Sequence, residues 1–347
     1  MSLVGSIRAW FAGDPAGWIV PRISTRWLAV AAALSIGFWL VMEHLVRATP
    51  HARQDVLVAA ANKALEAQQE IARAKDRAGL LQSTTEDPNR TGLIGPDWSE
   101  ITTTMGDVQA KRTVTNPDLA AALARILMSH RLTPGANVGL VLSGSFVGAN
   151  VAAIAAVEAL GYRPVIITSL GASMYGATDP DFTWLDMEAA IARTGLWKAR
   201  SLAVVLGGES GVGNSLSNVG RDMLIAAARR NGHQPLLGTD FATLKTQAHA
   251  SLNAEAPLAA LISVGGSVLA MGTCLDAYRM PSGSVQGRLP CEDGVPGLLH
   301  DFAGRGVPVL HILNIKRLAL DWGLPYDPKP LPMIGQNVRI YGRMAFP

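Results

Sequence analysis

Residues 137–169 read NVGLVLSGSFVGANVAAIAAVEALGYRPVIITS, and this stretch decides the fold. An apolar run over 137–142 gives way to the loop Ser143-Gly144-Ser145, then to an Ala-rich helical pattern over 147–160 closed by Gly161, then to a second apolar run over 164–169. A run that is apolar at every position belongs to a strand buried on both faces, and strands joined by helices run parallel. The alternation continues in both directions. A helix is predicted over 118–130 upstream. Downstream the pattern predicts helices over 183–194, 217–231, 240–252, 267–278 and 314–322, and strands over 201–206, 259–264 and 307–312. The reading is an α/β domain over 116–323, a Rossmann-like and mostly parallel sheet with helices on both faces.

The whole chain has 347 residues, of which only 16% are charged, against about 25% in an average soluble protein, and its mean hydropathy is +0.22. Thirty Lys and Arg against 27 Asp and Glu leave a net charge of +3, too small an imbalance to argue for a nucleic-acid partner. Residues 27–46, WLAVAAALSIGFWLVMEHLV, carry their ionisable groups Glu43 and His44 near the end and suit a hydrocarbon core about 30 Å thick. They are read as a single transmembrane helix behind an N-terminal arm, 1–26. Basic residues tie across it: Arg8, Arg22 and Arg26 against Arg47, Arg53 and Lys63. The free amino terminus tips the balance toward a cytoplasmic arm, an inner-membrane location and an extracytoplasmic C-terminal domain. Two other apolar runs, 138–160 and 258–275, hold Gly/Ser clusters that would leave backbone groups unpaired in lipid, and are read as buried strand-loop-helix units.

After the span, 47–82 reads as a helical stalk, with Leu57, Ala61, Ala64 and Ile71 at helical spacing. Its thin, Ala-rich stripe fits a solvated spacer better than a packed helix. A linker with a Thr-rich polar segment follows over 83–115, and a Pro-rich tail over 324–347 closes the chain. Cys274 and Cys291 are too few for a disulfide scaffold or an all-Cys zinc site; two buried thiols is the simpler reading and a single disulfide the other.

In an open parallel sheet, ligands bind beyond the carboxyl ends of the strands. Those ends carry Ser143, Gly144 and Ser145; Gly171 and Ser173; Gly207 and Gly208; Gly265 and Gly266; and His311 with Asn314. So many small and hydroxyl-bearing residues around one crevice suit capture of a phosphate or carboxylate. Lys111 and Arg112, set among threonines, could clamp a carboxylate-rich chain. No loop fits a dinucleotide fingerprint or a P-loop, so ordinary nucleotide cofactors are not expected. Ser145, at a strand-to-helix turn, is placed as a nucleophile would be, with His311 as candidate base; a helix cap made by Ser143 or Ser145 is the plainer alternative. Asp179 and Asp181, within a run that also holds Asp186 and Glu188, could meet a hard cation or simply cap the next helix.

Four segments, SEITTTMGDVQAKRTVTNPDLAA (99–121), LSGSFVGAN (142–150), SLGASMYGATDPDFTWLDME (169–188) and GVPVLHILNIKRLALDWGLPYDPKPLPMIG (306–335), closely resemble the poly-γ-glutamate system protein family. The resemblance implies a bacterial membrane apparatus that makes or exports poly-γ-glutamate, in which the chain acts beside an ATP-dependent ligase and a small membrane subunit. It assigns no catalytic residue. Three functions follow as expectations: binding of the polyanionic polymer or a glutamate-derived ligand at the strand ends; γ-glutamyl hydrolysis or transfer by Ser145 with His311; or a scaffold that holds the assembly through its stalk. On this reading, deletion of residues 1–50 leaves a soluble, folded protein. A truncated chain still wholly in the membrane fraction after a high-salt wash would reveal a second span.

Overall fold

The computed structural model describes residues 24–45, 47–238 and 240–345, and the chain divides into two compact units, residues 1–49 with 344–347 and residues 50–343. In the first, helix α1 (Thr25–Leu45) runs for 21 residues and exposes its large apolar side chains, Trp27 at 69% and Phe38 at 68% among them. Among the described residues no helix is long and apolar enough to cross a membrane. The side chains of 42–46, the end of the predicted span, lie outside the described residues.

The second unit is built on a six-stranded sheet. Its strands are β2 (Asn137–Ser143), β3 (Arg163–Ser169), β5 (Ser201–Val205), β6 (Ala260–Val264), β7 (Gly283–Val285) and β8 (Val309–Ile312), in the order β5-β3-β2-β6-β8-β7. All pair in parallel except β7, which runs antiparallel to β8 at the edge. A separate parallel pair joins β1 (Thr102–Thr104) to β4 (Ala172–Ser173). From 118 to 264 the boundaries read from the sequence fall within one residue of those observed.

Successive residues of β2 face opposite layers, as a strand's period of two requires. Leu140 and Leu142 point into one core with α4 (Asp118–Ser129), α5 (Val147–Ala159) and α6 (Trp184–Thr194), while Val141 points into another with α8 (Phe241–Leu252) and α10 (Leu298–Gly304). Both faces are therefore covered, and each fully buried Leu or Ile there is stabilised by about 1.5–3 kcal/mol relative to exposure.

The predicted stalk is helix α2 (Gln54–Ala78), and it is no spacer. Leu57, Ala60, Ala61, Ala64, Ala67 and Ile71 are fully buried in the first core, so alanine here makes the contact surface. Lys63 pairs with Glu158 of α5 at 2.7 Å, and Gln68 Nε2 donates to the Thr115 carbonyl at 2.7 Å. The helix expected over 267–278 stops at Met271, because Gly272 takes φ +82° and turns the chain into an irregular segment. In that segment Cys274 and Cys291 form a disulfide, with Cα atoms 5.4 Å apart, instead of two thiols.

The tail is strapped to the Thr-rich segment. Arg112, on the short helix α3 (Val108–Thr113), donates from Nε and Nη2 to the two carboxylate oxygens of Asp327 at 2.6 and 2.8 Å. Asp327 N–H donates to Thr113 Oγ1, and Tyr326 OH to Asp107 Oδ2. Burial works to raise the Asp327 carboxyl, but the Arg112 guanidinium outweighs it and holds the group below the usual carboxylate range. Arg112→Ala leaves that carboxylate with Lys329 alone, 3.3 Å away, and is expected to lower unfolding stability by about 1–2 kcal/mol at pH 7. Because the folded pKa is depressed, the pair's contribution is present above the ordinary aspartate pKa of about 3.9 and is lost as pH falls through the depressed value. Denaturant melts at pH 7 and pH 3 test this: the gap between wild type and variant narrows in acid.

Candidate functional site

Strand β2 connects to β3 on one side and, through later elements, to β6 on the other, so the loops after β2 and β6 leave the sheet edge in opposite directions. A crevice opens where such loops part. Here it has a volume of about 730 Å³ and is lined by residues from the ends of β2, β3 and β6, from β4, and from the 103–111 segment. The crevice gathers Ser143, Ser145, Gly171, Ser173, Gly208, Gly266, Asn314 and Lys111 from the residues picked out in the sequence. Gly144, Gly207, Gly265, His311, Arg112, Asp179 and Asp181 are not among its lining residues.

Several of those absences have a steric or hydrogen-bonding reason. A Cβ on Gly144 would come within 2.5 Å of the Leu170 carbonyl oxygen, so this glycine lets the loops after β2 and β3 touch. Gly265 sits at φ +84°, against Ser143, and turns the chain out of β6. Arg112 is held by Asp327, so of the basic pair only Lys111 reaches the crevice.

His311 is fully buried, with Nδ1 3.2 Å from the Pro281 carbonyl oxygen and Nε2 3.4 Å from that of Gly265. Burial lowers its pKa, and the two carbonyls oppose that shift. Both ring nitrogens face backbone oxygens, and His311 does not line the crevice that Ser145 lines. The carboxylates of 179–188 are dispersed as well. Asp179 Oδ1 accepts the Asp181 N–H at 2.9 Å, Asp186 pairs with Arg230 at 2.6 Å, and Glu188, pushed up to about 7 by burial, accepts from Ser201 N–H and Oγ. Among the described residues the one cluster of three potential metal ligands is Cys274, Cys291 and His300, and its two sulfurs are already bonded to each other.

Neither Ser143 nor Ser145 caps α5, whose N-cap is Phe146 with no side-chain bond. Ser143 Oγ accepts the Ser145 N–H at 3.1 Å, and Ser145 Oγ accepts the Ser173 N–H at 3.0 Å. The second bond ties the β2 loop to β4. Lys111 completes the arrangement. Its side chain is 3% exposed, and Nζ donates to the Ser145 carbonyl oxygen, lies 2.5 Å from Ser173 Oγ, and stands 4.1 Å from the centre of the Phe146 ring. Burial lowers the Lys111 pKa to about 7, with the nearby Asp107 carboxylate opposing the shift. Asn314 caps α11 (Ile315–Trp322) by accepting the Arg317 N–H at 3.2 Å.

The sequence reading missed the contribution of Phe146 to this wall. It had Lys111 and Ser173 as separate ligand residues; what joins them is the pairing of Thr104 with Ser173 across β1 and β4. Ser145→Ala removes the acceptor from the Ser173 N–H, and leaving that donor unpaired is expected to lower stability by about 1–2 kcal/mol in a thermal or denaturant melt. An unchanged melt would mean that this bond does not hold the loop. No family model, no curated protein and no solved structure matches the chain.

Proposed function

We propose that this chain is a membrane-anchored component of a poly-γ-glutamate synthesis and export system, and that its strand-end crevice binds a carboxylate-bearing stretch of the polymer or a glutamate-derived ligand. One observation carries the binding half of this reading: a desolvated amine, Lys111, at the wall of a crevice edged by hydroxyls and glycine backbone. An incoming carboxylate would supply the counter-charge that the buried amine otherwise obtains from Asp107 alone. The system itself, and the ligase and small membrane subunit as partners, rest on the sequence resemblance.

The anchor rests on the apolar span 27–46 and on the outward-facing Trp and Phe side chains of α1, which are costly in water and favourable in lipid. The Cys274–Cys291 disulfide suits an oxidising, extracytoplasmic compartment. A scaffold acting through the stalk has less to offer a partner, since the apolar face of α2 is consumed within its own domain.

With Lys111 titrating near pH 7, carboxylate binding takes up a proton, and affinity is expected to fall as pH rises through that value. The other charged groups at the crevice are Asp107, Glu209 and Lys316. Titration calorimetry with a γ-linked glutamate oligomer should show tighter binding at pH 6 than at pH 8. Lys111→Met should cost about tenfold in Kd, or about 1.4 kcal/mol, and flatten the pH dependence. Equal affinity in the variant would remove the crevice from polymer binding.

A further inference from the structure

The geometry points to Ser173 and Lys111 as a nucleophile and general-base pair that cleaves or transfers a γ-glutamyl amide held in the crevice. The inference rests on the crevice being the polymer's site, and it assigns the reaction to residues other than Ser145 and His311.

Three features of the pair carry it. The first is reach: Ser173 Oγ and Lys111 Nζ lie 2.5 Å apart, at the distance a proton transfer needs, and both line the same open crevice. The second is that neutral Lys111 has every position filled in a productive way. A neutral amine offers two N–H groups and one lone pair. In the protonated form Nζ donates to Ser173 Oγ; in the neutral form one N–H can stay on the Ser145 carbonyl oxygen and the other turn to the Phe146 ring, 4.1 Å away, which frees the lone pair to accept the Ser173 hydroxyl proton. Burial of the amine favours this neutral form near pH 7, as a lysine base requires. The third is restraint of the nucleophile. Ser173 N–H is held by Ser145 Oγ at 3.0 Å and its strand is paired to β1, so the hydroxyl is presented from a fixed backbone. Ser145 is thus a positioning residue.

The step balances without any cofactor. Ser173 Oγ attacks the amide carbonyl carbon as its proton passes to Lys111 Nζ. The C–N bond then breaks, the leaving nitrogen takes that proton from Lys111, and the acyl group remains as an ester on Ser173. Water attacks the ester and gives a proton to Lys111; the C–O bond to Ser173 breaks, and the proton returns to Ser173 Oγ. The sum is amide plus water to carboxylic acid plus amine. An amine in place of water gives transfer.

The test uses the full chain in detergent, with a fluorophosphonate as the serine probe and γ-glutamyl-4-nitroanilide as the substrate probe. Peptide mapping should place the fluorophosphonate on Ser173, with a labelling rate that rises through about pH 7 and levels above it. Polymer binding runs the other way with pH, so the two readings separate. Lys111→Arg, which keeps the charge but cannot give it up, should slow both labelling and nitroaniline release at least 100-fold, and Ser173→Ala should abolish both. The mapping on wild type needs no variant to fold. A chain that binds the γ-linked oligomer but carries no adduct on Ser173, or carries it on Ser145, overturns the pair and leaves the binding reading standing. An adduct on Ser173 with that pH profile, in a chain that does not bind the oligomer, supports the pair and removes the polymer as its ligand.

Discussion

A parallel sheet covered on both faces has little room for polar side chains except near the ends of its strands, and this constraint organises the second unit. Along β2 every residue is buried, and the first hydroxyl is Ser143, at the strand's carboxyl end. In β3 the hydroxyls, Thr168 and Ser169, also fall at the carboxyl end, and β6 carries Ser263 one residue before its end, with Ser267 just beyond it. The polar groups of distant segments are thereby delivered to one edge, and the opposite directions taken by the connections after β2 and β6 open a space for them to face. Lys111 enters that space from outside the sheet. Its amine is out of water without a carboxylate in contact, so the electrostatics of the site are those of a group held close to losing its charge.

That condition serves the two proposed tasks in opposite ways. A protonated Lys111 attracts a carboxylate; a neutral one accepts a proton from Ser173. Near pH 7 the amine is divided between the forms: a carboxylate beside it favours the first, whereas an amide carbonyl, which carries no charge, leaves the second in place. Asp107, hydrogen-bonded to Tyr326 of the strapped tail, tempers the amine from one side and the Phe146 ring from another. The tail is therefore part of the electrostatic surroundings of the crevice, although it contributes no lining residue.

The sheet was legible because its signal is redundant. Continuous apolar runs such as 137–142 and 164–169, each followed by glycine or serine and then by a helical period, have few alternative explanations. Much of the crevice lining was legible for the same reason, since strand ends follow from strands. The role of α2 was hidden because alanine adds little to an apolar stripe yet permits the closest packing; Ala60 and Ala64 look neutral in a sequence and are fully buried in the fold. The break at Gly272 was hidden behind an apolar run that suits a longer helix. The Lys111–Ser173 contact depends on a two-residue strand paired with a three-residue one, too short for any periodicity to show. His311 misled because the end of a strand is a good place for a base, and only the surrounding carbonyls show that its ring is already engaged.

The alanine face of α2 has a consequence for how the sequence can drift over time. Ala60, Ala61, Ala64 and Ala67 are fully buried in close-packed surroundings, so a larger residue would have to displace its neighbours, and a glycine would loosen the helix itself. Next door, a Cβ on Gly92 would meet the backbone of Ala72 at 2.6 Å. One side of this helix is consequently limited in size, while the outward side carries charged residues such as Arg73, paired with Glu70, and Arg77, whose size is less constrained. A segment that looks like low-information filler is thus tightly constrained, and descent would be traced more faithfully through its small residues than through its charged ones.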